Sequence, residues 1–155
     1  MAFADERLDR GLRLASRREY FAAHELLEAA WQDLPPGPER DLVQGVVQLC
    51  VALEHLRRGN ALGAQRVWGR AQARLPRGVP PLAGVDVAAW CAECADFFER
   101  VGLAERARAQ LGRRRTKGAA EAGAPAAPPG EGEAAGPPLP PLSEWPAPRM
   151  EGGVG

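Results

Sequence analysis

The sequence predicts an all-α protein: a compact bundle of five to six helices built from two related helical hairpins, with a disordered C-terminal tail. Apolar residues recur with the 3.6-residue period of a helix, and no stretch alternates with the period of a strand. Residues 18–35 and 59–76 share a pattern at an offset of 41 residues. Residues 118–155 contain 8 Gly and 9 Pro, so they have too few apolar side chains to offset the entropy lost on ordering. We therefore expect a helical domain at 1–115 and a disordered Pro/Gly/Ala-rich tail at 116–155.

Helix-breaking and capping residues set the limits of each element. Pro35-Pro36-Gly37 and Gly59-Asn60 end helices, and Asp86 is typical of a residue that caps a helix start. The third helix is apolar almost all round, which marks it as the central, buried one. The expected helices span residues 5–16, 18–34, 38–58, 61–75, 87–101 and 103–115.

Polar side chains form one stripe on the second helix and one narrow line on the third. His24 and Glu28 stand one turn apart on the same side, because residues four apart share a helix face. The short loop at 35–38 predicts antiparallel packing, which places Glu28 opposite Gly45 and allows the two helices to approach closely there. The candidate polar site is therefore formed by His24, Glu25, Glu28, Gln44, Gln48 and His55.

Three interpretations of this polar site stay open. It is a hydrogen-bonded network that fixes the register of two helices, a pocket for a ligand or partner, or a catalytic or metal site. A register-fixing network would make Glu28→Ala cost about 2–4 kcal/mol. The metalloprotease pattern requires a second histidine four residues after His24, and that position is Glu28. We therefore expect no bound metal and no cofactor.

The expected function is a non-enzymatic interaction or ligand-binding module. The repeated helical hairpins favour such a module. We expect a groove beside the aromatic residues of the second helix, and we expect this groove to bind an unknown protein or small-molecule partner. The alternative is a metal-dependent or acid–base hydrolase with Glu25 or Glu28 as the base and His24 as ligand or acid. The residues expected along the groove are Tyr20, Phe21, His24 and Trp31.

Composition narrows the remaining classes. The net charge is zero, but residues 100–117 carry a net charge of +6, and the basic arm at 106–117 has neither aromatic residues nor a nucleic-acid-binding motif. We therefore do not expect nucleic-acid binding, and we expect no membrane span, because no apolar run approaches about 20 residues. Three cysteines and no leader indicate a cytoplasmic protein, with Cys91 and Cys94 as core thiols. Nineteen Arg against one Lys indicate GC-rich bacterial coding, and a homo-oligomer stays open.

The second and third helices also carry a pattern that resembles a small bacterial family, domain of unknown function 309. Its members have an aromatic–x–x–His-Glu–x–x–Glu–x–x–Trp helix, here from Phe21 to Trp31, then a Gln-Gly helix and a Gly-Asn–x–x–Gly-Ala turn at 59–64. The similarity covers about residues 8–75. The resemblance implies a compact all-helical bundle and no assigned activity. Its hallmark positions are His24, Glu25, Glu28, Trp31, Gln44, Gly45, Gln48 and His55.

Overall fold

A computed structural model describes residues 5–120 and 137–150 of the chain. Within these residues the chain is all helical and contains no strand, so the predicted fold class is confirmed. No helix in this described part is both long and apolar enough to cross a membrane. The elements are α1 (Glu6–Ser16), α2 (Tyr20–Gln32), α3 (Pro38–Arg57), α4 (Ala61–Arg74), α5 (Val87–Arg100), α6 (Leu103–Ala120) and a 3-10 turn (Leu142–Glu144).

Side-chain caps fix the starts of three helices. Asp5 accepts a hydrogen bond from the backbone N–H of Arg7, at 2.9 Å, and Asn60 and Asp86 cap α4 and α5 in the same way. Such caps satisfy backbone donors that have no partner inside the helix. The cap at Asp86 is the one that the sequence predicts.

Helix α3 forms the centre of the bundle. It packs against α2 on one side and α4 on the other, while α1 packs on α2 and α6 packs on α4. Eleven of its 20 residues are buried, as its apolar sequence predicts. The core therefore extends outward from α3 to the inner faces of the other helices.

Gly45 permits a close approach, but not the one expected from the sequence. A Cβ atom at Gly45 would lie 2.6 Å from the Cγ and Cδ2 atoms of Leu75, which follows α4. At 100° per residue, Gly45 lies about 140° around α3 from Arg40, and Arg40 contacts Trp31 of α2. Gly45 therefore faces the end of α4, and the expected close approach to α2 opposite Glu28 is wrong.

Part of the sequence expected as tail packs on the bundle. Residues 121–136 and 151–155 lie outside the described residues, so the predicted disorder is not tested there. In contrast, Trp145 is only 3% exposed, and its ring centroid lies 5.0 Å from that of Phe97 and 6.3 Å from that of Tyr20. Burial of one tryptophan removes about 150–250 Å² of side-chain surface from water. This burial explains why the segment is ordered although its average composition predicts disorder. We call residues 137–150 the C-terminal segment.

Candidate interaction site

The two neighbouring polar residues of α2 meet at the protein surface. His24 Nε2 lies 3.3 Å from Glu28 Oε2, and His24 Nδ1 lies 3.0 Å from the carbonyl oxygen of Phe21. The side chains of His24 and Glu28 are 22% and 46% exposed, and Glu25 is exposed. The His24–Glu28 contact is thus partly hydrated and not buried.

The polar line of α3 finds other partners. His55 Nδ1 lies 3.1 Å from Asn60 Nδ2, at the start of α4, and the buried Gln48 Oε1 accepts no hydrogen bond. Across residues 5–120 and 137–150, no hydrogen bond joins the α2 stripe to Gln44, Gln48 or His55. The same residues contain no group of three or more His, Cys, Asp or Glu side chains placed to hold a metal ion. In the described residues the candidate polar residues are therefore not joined in one network: His24 contacts Glu28, and His55 contacts Asn60.

Because the His24–Glu28 pair is partly exposed, its removal should have only a small effect on the free energy of unfolding. We expect Glu28→Ala to change the free energy of unfolding by less than about 1 kcal/mol, because partly exposed ion pairs gain little over hydration. Urea denaturation of the wild-type and variant chains measures this change. A decrease of about 2–4 kcal/mol in the free energy of unfolding would instead support the register-fixing network that is one interpretation of the sequence.

Two arginines of α3 cover aromatic rings of α2. The guanidinium of Arg40 lies 4.1 Å from the ring centroid of Trp31, and that of Arg58 lies 4.9 Å from the ring centroid of Phe21. These contacts at opposite ends of α2 show the predicted antiparallel packing. Phe21 and Trp31 are ten residues apart, about 15 Å along the helix, so they do not share one groove.

A surface depression of about 330 Å³ lies at the start of α2. It contains the two most exposed large apolar side chains of the described residues, Phe21 at 43% and Leu142 at 41%. This depression lies beside Tyr20 and Phe21, and neither His24 nor Trp31 lines it; the binding groove itself stays a prediction. Its lining residues are Arg18, Glu19, Tyr20, Phe21, Ala22, Glu54, Arg57 and Leu142.

Glu54 organises the rim of this depression, and the sequence analysis missed it. Glu54 is 6% exposed, and its carboxylate accepts hydrogen bonds from Arg57 at 2.8 and 2.6 Å and from Arg58 at 2.6 Å. Burial alone would raise the pKa of Glu54, but the two guanidinium partners outweigh it and hold the pKa below its usual value. Arg58 is thereby held over Phe21. The sequence does contain a signal for Glu54: it is an acid in a largely apolar stretch of helix, and arginines follow it at three and four residues.

The lowered pKa of Glu54 predicts a loss of stability in acid. A carboxyl group with a folded-state pKa below its unfolded value stabilises the protein above the unfolded value, near 4.5. This contribution disappears as the pH falls through the folded-state pKa. We expect Glu54→Gln to cost about 1–3 kcal/mol at neutral pH and to flatten the acid dependence of stability.

Urea denaturation between about pH 3 and 7 checks this expectation for Glu54. The matched control is Glu93→Gln, because the Glu93 carboxylate is exposed and lies 3.9 Å from Arg149. If both variants had the same pH dependence, the ion pairs of Glu54 would not contribute to stability.

The three cysteines behave as apolar core groups. Cys50 and Cys94 are 0% exposed, Cys91 is half-buried, and all three are free. Burial raises the pKa of each thiol above its usual value, which disfavours the reactive thiolate. The structure therefore agrees with the core assignment of Cys91 and Cys94.

The fold and this surface define an all-α helical bundle with an arginine-covered aromatic edge and an exposed apolar depression. Residues 8–67 match the family described as Domain of unknown function (DUF309), so the expected resemblance to this family is confirmed over these residues. The uncharacterized protein YpuF of Bacillus subtilis (strain 168) is 46% identical over 50 residues, which is 32% of this chain and 29% of YpuF. The chain thus spans less than a third of that relative's length. No solved structure matches.

Proposed function

We propose that the protein is a non-enzymatic interaction module that binds an apolar side chain of a protein partner between Phe21 and Leu142. The observation that carries this proposal is the shared position of the two most exposed large apolar residues in one depression. Exposed apolar surface that is grouped and rimmed by polar groups is typical of sites for partners.

The size of the depression supports a protein side chain as the occupant. Its volume of about 330 Å³ is at the low end of the range for small-molecule pockets, about 300–1,000 Å³. Arg58 lies over the Phe21 ring and is held there by Glu54, so this wall is ordered before a partner binds. Preordered aromatic and arginine side chains are enriched among residues that dominate binding energy.

The charges around the depression indicate which partner segments fit. Arg18 and Arg57 line it and Arg58 covers the Phe21 ring, so three arginines stand against Glu54 and one other acid, and the surroundings of the depression carry a net positive charge. Glu19 is the other acid in the lining. We therefore infer that the partner presents an apolar side chain with a carboxylate beside it, because opposite charges at a rim favour association.

Photo-crosslinking in the full chain tests this function. A benzoylphenylalanine replaces Phe21 in cells that produce the protein, and the control chain carries it at the exposed position Ala92 on α5. We expect a discrete crosslinked partner only from position 21, and we expect Leu142→Ser in the same chain to remove it. A crosslink to a second copy of the chain would make the partner the chain itself. Identical products from both positions would contradict the proposal.

A stability measurement separates loss of binding from loss of fold. We expect Phe21→Ser to change the free energy of unfolding by less than about 1 kcal/mol, since much of its ring is already in water. Leu27→Ala, at a side chain that is 0% exposed, should cost about 3–5 kcal/mol in the same assay.

A further inference from the structure

The C-terminal segment occupies a seat formed by several parts of the bundle. We define the Trp145 seat by four side chains that contact the segment: Arg18 in the α1–α2 turn, Tyr20 on α2, Phe97 on α5 and Arg106 on α6. In sequence the segment is separated from α6 by residues 121–136, which lie outside the described residues. The contacts themselves are noncovalent, so they do not require that connection.

The seat donates hydrogen bonds and the segment accepts them. Arg18 Nε donates to the carbonyl oxygen of Trp145 at 2.9 Å, and the Tyr20 hydroxyl donates to that of Pro146 at 2.6 Å. Arg106 donates to the carbonyl oxygen of Pro137. Six of the 14 residues in the segment are proline, which has no N–H and offers only acceptors. Sites that bind proline-rich peptides typically combine aromatic side chains with hydrogen-bond donors to the peptide's backbone carbonyl groups.

Trp145 is the apolar anchor of the segment. Its indole packs against Phe97 and Tyr20, while its Nε1 donates to the carbonyl oxygen of Pro140 within the segment, at 2.9 Å. The bundle therefore supplies aromatic surface, and the occupant itself satisfies the indole N–H. A ligand for the seat needs a backbone carbonyl group five residues before its tryptophan.

The backbone at Arg18 supports a binding role for the seat. Its φ is +64°, in the left-handed region, at a helix end where glycine is usually found. An arginine in this conformation is less favourable than a glycine, because its Cβ atom approaches the following carbonyl oxygen. Its guanidinium contacts the segment, so a strained residue provides a contact that glycine cannot make.

The occupant leaves free space beside it. A depression of about 450 Å³ remains between residues 144–149 and the outer side of α5. Arg149 reaches Glu93 there only at 3.9 Å, with a side chain that is 94% exposed. The end of the segment therefore adds little binding energy, and a competing segment has room to enter.

We propose that the Trp145 seat is a peptide-binding site for an extended, proline-rich segment with a Trp-Pro pair. Residues 137–150 are its intramolecular occupant, and a segment of the same chemistry on a partner protein displaces them. This inference goes beyond the proposed function, since the ligand is held by Arg18, Tyr20, Phe97 and Arg106. The segment borders the depression of the proposed function only through its Leu142.

The test uses the full chain with Trp145→Ala and, as the probe, a fluorescein-labelled synthetic peptide of residues 137–150. We expect fluorescence anisotropy to show binding to this variant that is about tenfold or more tighter than to the wild-type chain, whose own segment fills the seat. The peptide with Trp145→Ala should not bind. A variant that keeps the helical circular dichroism of the wild type but does not bind the peptide would overturn the proposal.

A second substitution distinguishes recognition from folding. Adding Arg18→Gly to the Trp145→Ala chain removes a charged donor and relieves the left-handed strain, so peptide binding should weaken about tenfold without a lower thermal midpoint. The matched control is Arg17→Ala, at the exposed neighbouring residue, which should leave binding unchanged. Equal weakening by both substitutions would refute a specific contact. The peptide with Leu142→Ser should bind as the unchanged peptide does, because the seat contacts Pro137, Trp145 and Pro146, whereas Leu142 lines the depression beside Phe21. This proposal and the proposed function can therefore fail separately.

If Trp145→Ala prevents folding, the wild-type chain is cut at a protease site introduced within residues 121–136. The labelled peptide should then exchange into the seat of the cut chain as the original segment dissociates. Absence of exchange, or a concentration-dependent dimer that is lost in the cut chain and does not bind the peptide, would overturn the proposal and assign the seat to the chain's own segment.

Discussion

Gly45→Leu is expected to destabilise the bundle by about 3 kcal/mol or more, enough to unfold a marginally stable domain. A Cβ atom alone would lie 2.6 Å from two carbons of Leu75, and the larger side chain places further atoms in an interior that is already close-packed. Urea denaturation measures the change. The effect tests the contact between α3 and the end of α4.

The control for this result is a double-mutant cycle with Leu75. Leu75→Ala removes the side-chain atoms that a new Cβ would meet, so Gly45→Ala should be much less harmful in that background than alone. Alone, Gly45→Ala combines a helix-propensity gain of about 1 kcal/mol with a larger steric cost. A net gain of about 1 kcal/mol would show that Gly45 does not contact Leu75.

Trp90→Ala should lower the free energy of unfolding by about 3–5 kcal/mol, the second large effect that the structure predicts. Trp90 is 1% exposed and is the largest fully buried side chain of the described residues. Among the described residues no group pairs with its buried Nε1, so the indole N–H adds no stability to the packing. Chemical denaturation of the variant measures the loss.

Trp90→Phe is the informative comparison for this position. It keeps an aromatic ring and removes the unpaired donor, so we expect a cost of about 1–2 kcal/mol, well below that of the alanine variant. The control is Ala92→Ser, at an exposed position of the same helix. It should change the free energy of unfolding by less than about 0.5 kcal/mol. Equal costs for Trp90→Phe and Trp90→Ala would show that the indole N–H has a stabilising partner.

The sequence predicts the helical elements well because their limits depend on nearby residues. Asp86 caps α5 and Gly59 ends α3, and both effects act within one turn of helix. The expected start of α2 at residue 18 differs from the observed start at Tyr20. The difference arises because Arg18 has a positive φ, which its residue type does not reveal.

The surface site was harder to predict because it depends on contacts between distant parts of the chain. Phe21 is one of the residues expected along the groove, whereas Leu142 and Trp145 lie in the tail that was expected to be disordered. Glu54 was hidden in a helix assigned as apolar, although its two arginines follow at three and four residues. Which side of α3 faces α2 also decides whether Gly45 meets that helix, and periodicity alone does not fix it.

The burial of Trp145 has a consequence for the order in which the protein matures. Ribosomes make chains from the N-terminus, so all six helices are synthesised before residue 145. Until then the rings of Tyr20 and Phe97 are open to water on the side that Trp145 covers in the complete chain. During synthesis the bundle therefore exposes an apolar patch, which is covered only after Trp145 has been added to the chain.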